Sequence, residues 1–108
     1  MNKKEKGTQL EIYVAARLAK VLNDPTIRPT KASSGGGHNT ELEDILSKDY
    51  LIECKNGAKN FSKSVWKKLL NLVPWSSFKI PLHIIKNEDG IFVKLNFEDF
   101  LTILGGKK

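Results

Sequence analysis

The stretch that most limits how this chain can fold is residues 50–56, Tyr-Leu-Ile-Glu-Cys-Lys-Asn. Its apolar start and β-branched content read as a strand that is mostly buried. Side chains alternate along a strand, so Glu53 and Lys55 share one face and Cys54 points to the other. An acid and a base two residues apart in a strand that seeks burial need partners, because unpaired charge is costly away from water.

The surrounding pattern supplies candidate partners. Residues 42–47 (LEDILS) read as a second strand, joined to residues 50–55 by a tight connection at Lys48-Asp49. A two-residue loop between Ser47 and Tyr50 makes opposed residue numbers sum to 97. A four-residue loop gives the same pairing, whereas a three-residue loop turns Asp44 to the wrong face. In that register Asp44 faces Glu53, with Cβ atoms about 4.5–5.5 Å apart. Opposed carboxylates repel. Either one takes up a proton or a cation lies between them, and a pair of carboxylates suits a hard divalent ion such as Mg²⁺, which accepts one or two such ligands plus waters and phosphate oxygens. Lys55, one pleat along, could then meet a phosphate or an attacking water.

Around this hairpin the chain reads as helix, three strands, helix, two strands, helix. Residues 7–22 carry an apolar stripe at Leu10, Val14, Leu18 and Val21 or Leu22, with Tyr13, Arg17 and Lys20 opposite. Thr8 and Glu11 have capping-box spacing. Glu11 also borders the stripe, so it has two readings: a cap reaching back to Thr8, or an acid directed toward Asp44 and Glu53. Asn23, Asp24 and Pro25 stop the helix. Residues 26–28 form a short extended piece before Pro29. Residues 31–40 (KASSGGGHNT) have no apolar period and read as a loop. A second helix is predicted from about 62 to 73, with Val65, Leu69, Leu72 and Val73 inward, Lys63, Lys67 and Lys68 largely outward, and Pro74 at its end. Residues 80–86 and 91–95 form a hairpin around 87–90. Asn96 caps a last helix, FEDFLTIL. The fold class is α/β, a central mixed sheet flanked by helices, in one domain over 1–108.

Composition narrows the function. With 18 Lys and Arg against 12 acids, the chain carries a net charge of +6, the electrostatic footprint of a nucleic-acid binder. One cysteine excludes an internal disulfide framework and a Cys-rich zinc site, and it suits a reducing setting. No stretch approaches the length of a membrane span. The basic start, MNKKEKG, is followed by a segment carrying Glu11, Arg17 and Lys20, unlike a signal peptide. These features predict a cytoplasmic protein with no membrane contact.

The chain resembles the PD-(D/E)XK nuclease superfamily, and within it the small archaeal Holliday junction resolvases and their phage relatives. KGTQLEIYVAARL is similar to the family's Lys-Gly-x-x-x-Glu opening, with Glu11 as the helical acid. IRPTKASSGG is similar to its Arg-x-Pro-x-x-Ser-Gly stretch. Asp44 matches the metal-site Asp, though Glu43 stands where the family has proline. Glu53-Cys54-Lys55 matches the Glu-x-Lys motif. The resemblance implies a restriction-endonuclease-like core and a Mg²⁺-dependent endonuclease, with Mn²⁺ as a substitute, selective for branched DNA and acting as a homodimer. It implies that Asp44, Glu53 and the Cys54 carbonyl hold the metal, with Glu11 completing the shell, and that Lys55 acts in catalysis. Ser33 or Ser34 matches the family's loop serine; Ser34 is the candidate for the catalytic set and Ser33 for DNA contact. The glycine-rich loop would close on DNA, and Lys3, Lys4, Lys6, Arg28, Lys31, Lys59 and Lys63 are candidate phosphate contacts.

Other residues carry less. His38 reads as a solvated loop residue and His83 as a strand residue on a more polar face. Cys54 fits a core role, and Trp66 and Trp75 fit burial better than base stacking. Ser33 and Ser34 have no sequence-adjacent base for serine-type hydrolysis. Two rival functions stay open: a nuclease of the same fold acting on flaps, ends or duplex DNA, and a non-catalytic DNA-binding module.

Overall fold

A computed structural model describes residues 3–30 and 44–106, with side chains from Thr8 onward. Helix α1 (Lys3–Leu22) leads into β1 (Arg28–Pro29), and β2 (Ile45–Leu46) precedes β3 (Tyr50–Asn56). Helix α2 (Lys63–Leu72) and a 3-10 turn (Val73–Ser76) then cross to β4 (Ile80–Asn87), followed by β5 (Gly90–Lys94) and α3 (Phe97–Leu104). The strands form one mixed sheet in the order β1-β2-β3-β4-β5. Only β3 and β4 are parallel; the other neighbours are antiparallel. A parallel pair needs a crossover, and α2 supplies it. The α/β class and the helix-flanked mixed sheet expected from the sequence are the observed architecture.

The pleat sorts the side chains. Tyr50, Ile52 and Cys54 of β3 join Ile80, Leu82 and Ile84 of β4 on the face covered by α1 through Leu10, Val14 and Ala15. Leu95 and Ile103 pack against this same core from the C-terminal side. Leu51, Glu53, Pro81, His83 and Ile85 have the opposite parity and lie on the face covered by α2, whose Leu69 is fully buried. Among the described residues no helix is long and apolar enough to cross a membrane.

Several local expectations differ from the structure. Helix α1 begins at Lys3, so Thr8 lies inside it and cannot be its N-cap. The Lys and Glu residues before Gly7 are good helix formers and extend the helix past the apparent capping box. The apolar stripe ends at Leu18; Val21 is 76% exposed and Leu22 is also exposed. Beyond the helix, the Asp24 carboxylate accepts hydrogen bonds from the Thr26 N–H and hydroxyl, turning the chain. The edge pairing then begins at Arg28 rather than Thr26. Strand β2 covers only part of the predicted 42–47. Residues 31–43, which include the predicted glycine-rich loop and His38, lie outside the described residues.

Elsewhere local chemistry and structure agree. The Ser62 hydroxyl accepts the Val65 N–H and caps α2. Asn96 does the same for α3, accepting from Glu98 and Asp99 N–H. In the β4–β5 turn Gly90 has φ +137°, a conformation that disfavours any side chain. Trp66 is half-buried with the Lys94 ammonium 5.0 Å from its ring centroid. Trp75 is not buried at all, being 85% exposed in the 3-10 turn.

Candidate active site

The β2–β3 register pairs Ile45 with Ile52, the sum of 97 expected from the hairpin. Asp44 lies immediately before β2, next to this pair and near Glu53. Its N–H donates to the Ile52 carbonyl at 2.8 Å, and its carbonyl accepts the Thr30 N–H at 3.0 Å. Its Oδ2 accepts the Cys54 N–H at 2.7 Å, so the side chain is fastened to the strand that carries Glu53. Burial first, then the neighbouring Glu53 carboxyl and its charge, push the Asp44 carboxyl up to about 8, so it keeps its proton to far higher pH than an ordinary aspartate.

Glu53 is only 6% exposed. Its Oε1 accepts a hydrogen bond from Lys68 Nζ on α2 at 2.5 Å, a charge-assisted pair. The sequence expects Lys68 to lie largely outward, and its side chain is 49% exposed; what the expectation lacks is its reach to Glu53. The spacing held the signal: Val65, Lys68, Leu69 and Leu72 stand at i, i+3, i+4 and i+7, which is the inward stripe itself.

His83 lies, as expected, on a strand and on the more polar face of the sheet, beside Glu53. It is 0% exposed, packed edge-on against Phe61 with ring centroids 5.5 Å apart. Nε2 accepts the Ser62 N–H at 3.1 Å, which leaves the proton on Nδ1, 3.4 Å from the Glu53 carbonyl that accepts it. Burial holds the imidazole below its ordinary pKa and keeps it neutral. The α2-side face of the sheet is covered, so His83 is buried there with polar partners instead of meeting water.

The remaining candidates fall as follows. Glu11, on α1, is half-buried, and burial followed by the Glu53 charge raises its pKa, so the two acids feel each other's field. Lys55 is exposed on the Glu53 side of β3. The Cys54 thiol is buried in the α1-side core, and burial together with the Asp44, Glu11 and Glu53 charges pushes its pKa upward, the reverse of an activated nucleophile. Arg28, Lys59 and Lys63 are exposed. The side chains of Lys3, Lys4 and Lys6, and the whole of Lys31, Ser33 and Ser34, lie outside the described residues.

Among the described residues no group of three or more His, Cys, Asp or Glu side chains is gathered tightly enough to hold a metal. What is gathered is a half-buried Asp44 and a buried Glu53 that is paired with a lysine. Once both acids are ionised their oxygens fit the needs of Mg²⁺, which keeps several waters and takes only one or two carboxylates. No family model, no curated protein and no solved structure matches the chain.

Proposed function

We propose that this chain is a divalent-cation-dependent DNA endonuclease, selective for branched DNA, in keeping with its resemblance to the PD-(D/E)XK nucleases. The observation that carries the reading is the neighbouring Asp44 and Glu53 carboxyls, Asp44 half-buried and Glu53 buried, with Lys55 on the Glu53 side of the strand. Structural acids are seldom buried beside each other, because the arrangement costs desolvation and repulsion and contributes no packing that an apolar pair would not. The net charge of +6 supports a polyanionic substrate.

In this reading Asp44 and Glu53 hold the ion, with the Cys54 carbonyl and Glu11 beside them. The ion supplies a bound water of lowered pKa and charge neutralisation at the scissile phosphate. To hold the ion, the Asp44 carboxyl would have to release its proton to solvent, so that both acids present charged oxygens. The Lys55 ammonium orients the attacking water or stabilises the negative charge that develops as the phosphorus–oxygen bond breaks. The resemblance implies 5′-phosphate and 3′-hydroxyl products, a homodimer that cuts two strands, and action in the cytoplasm.

Cleavage of labelled four-way junction, flap and linear duplex DNA, with Mg²⁺ or with EDTA, tests this. Junction cutting that requires both Mg²⁺ and Glu53 is the expected result. Cutting of flaps or duplex alone would keep the nuclease and discard the junction preference. DNA binding without cutting on any substrate would favour a non-catalytic module, a reading that the pairing of Glu53 with Lys68 already accommodates.

A further inference from the structure

Lys68 is not a free surface lysine. Its helix is fixed at its start by the Ser62 cap, and the Ser62 N–H is tied through His83 to the backbone carbonyl of Glu53, the same residue whose carboxylate Lys68 grips. The ammonium is thus delivered to Glu53 by a helix anchored on Glu53. Leu69, the next residue, is fully buried and sets the rotation of the helix. Yet the Lys68 side chain is still 49% exposed, so its stem can swing into water without opening the core.

An ammonium at hydrogen-bond distance from Glu53 Oε1 occupies the place of any second cation seeking that oxygen, since like charges so close repel strongly. We propose that Lys68 is a built-in counter-ion that competes with the divalent cation for Glu53 and must leave when that cation binds. This rests on the metal-dependent reading above. It makes Lys68 a positioning residue that holds the acid pair together without metal and weakens cation affinity. Lys68 and Lys55 then have different tasks, although both lie near Glu53.

Two measurements decide the matter. Calorimetric titration of MnCl₂ into EDTA-treated protein compares wild type, Lys68→Met and Lys68→Arg. Lys68→Met keeps the stem and is expected to bind Mn²⁺ about tenfold more tightly, while Lys68→Arg stays near wild type. Equal or weaker binding by folded Lys68→Met overturns the competition. The second measurement uses the unaltered protein: acetylation of Lys68 by acetic anhydride, followed by mass spectrometry, should run several-fold faster at saturating Mn²⁺ than without it. No acceleration, in a protein that calorimetry shows to have bound Mn²⁺, overturns the proposal and leaves the nuclease reading standing. If neither wild type nor variant binds Mn²⁺, and no DNA is cut, both fall together.

Discussion

Strand β3 shows two different faces to its neighbours. Toward α1 it presents Tyr50, Ile52 and Cys54, part of an apolar core closed by Leu10, Val14 and Ala15. Toward α2 it presents Leu51, Glu53 and Lys55, beside His83 and under Lys68. Burial is nearly as deep on both sides, but what holds each side differs. The α1 face is stabilised by displaced water and tight packing. On the α2 face, Glu53 and His83 are buried at a desolvation cost that their partners offset: the Lys68 ammonium and the Ser62 N–H. A face held by packing answers to volume, and a face held by partners answers to charge and pH.

The largest expected effect lies on the polar face. Glu53→Ala should bring Mg²⁺-dependent DNA cleavage below about one-hundredth of wild type. The circular dichroism spectrum and DNA affinity should hardly change, because Lys68 is already half in water. A well-folded variant that still cuts would remove the acid pair from the chemistry. On the packed face, Ile52→Ala leaves a cavity and should lower the unfolding free energy by about 3 kcal/mol in a denaturant titration. His83→Ala deprives the Ser62 N–H of its acceptor and the Glu53 carbonyl of its donor, with an expected cost of about 2 kcal/mol. If His83→Ala costs nothing, the contrast between the faces collapses.

The smallest effect sharpens the comparison most, because it depends on pH. Unfolded, the Asp44 carboxyl releases its proton near the ordinary value of 3.8; folded, it keeps it to about 8. Between those values the folded state binds more protons, so this group's contribution to stability falls as pH rises. Asp44→Asn keeps an acceptor for the Cys54 N–H without the charge. It should match wild type near pH 4 and exceed it by about 1 kcal/mol at pH 9, read from thermal melts. Ile52→Ala should show no such crossing.

Much of this was legible in the residues. Hairpin arithmetic alone set the Ile45–Ile52 register and so brought Asp44 near Glu53, because the alternation of a strand and the length of a turn leave few registers. The caps at Ser62 and Asn96 declared two helices. The start of α1 was hidden because Thr8 and Glu11 imitate a cap inside a run that simply continues as helix. Lys68 reads as outward and is half exposed, but nothing in its position names Glu53 as its partner. His83 is on the expected polar face, and only its full burial was hidden, because alternation does not say whether a helix covers that face. The repulsion between Asp44 and Glu53 could be inferred from sequence, but not its resolution, since a proton, a lysine or a metal ion would each satisfy the same two acids.

The parallel pairing of β3 with β4 also governs the order of events during folding. The β2–β3 and β4–β5 hairpins each close between neighbouring residues, a process of microseconds. Joining β3 to β4 brings together residues as far apart as Glu53 and His83, 30 positions along the chain, and waits on the closure of the α2 crossover. Loop closure therefore predicts that the two acids meet before the lysine and histidine that steady them arrive. Until the crossover docks, a proton or a cation from the solvent has to quiet the pair. The rate of refolding, and not merely the depth of the folded state, should therefore carry the imprint of two neighbouring carboxylates.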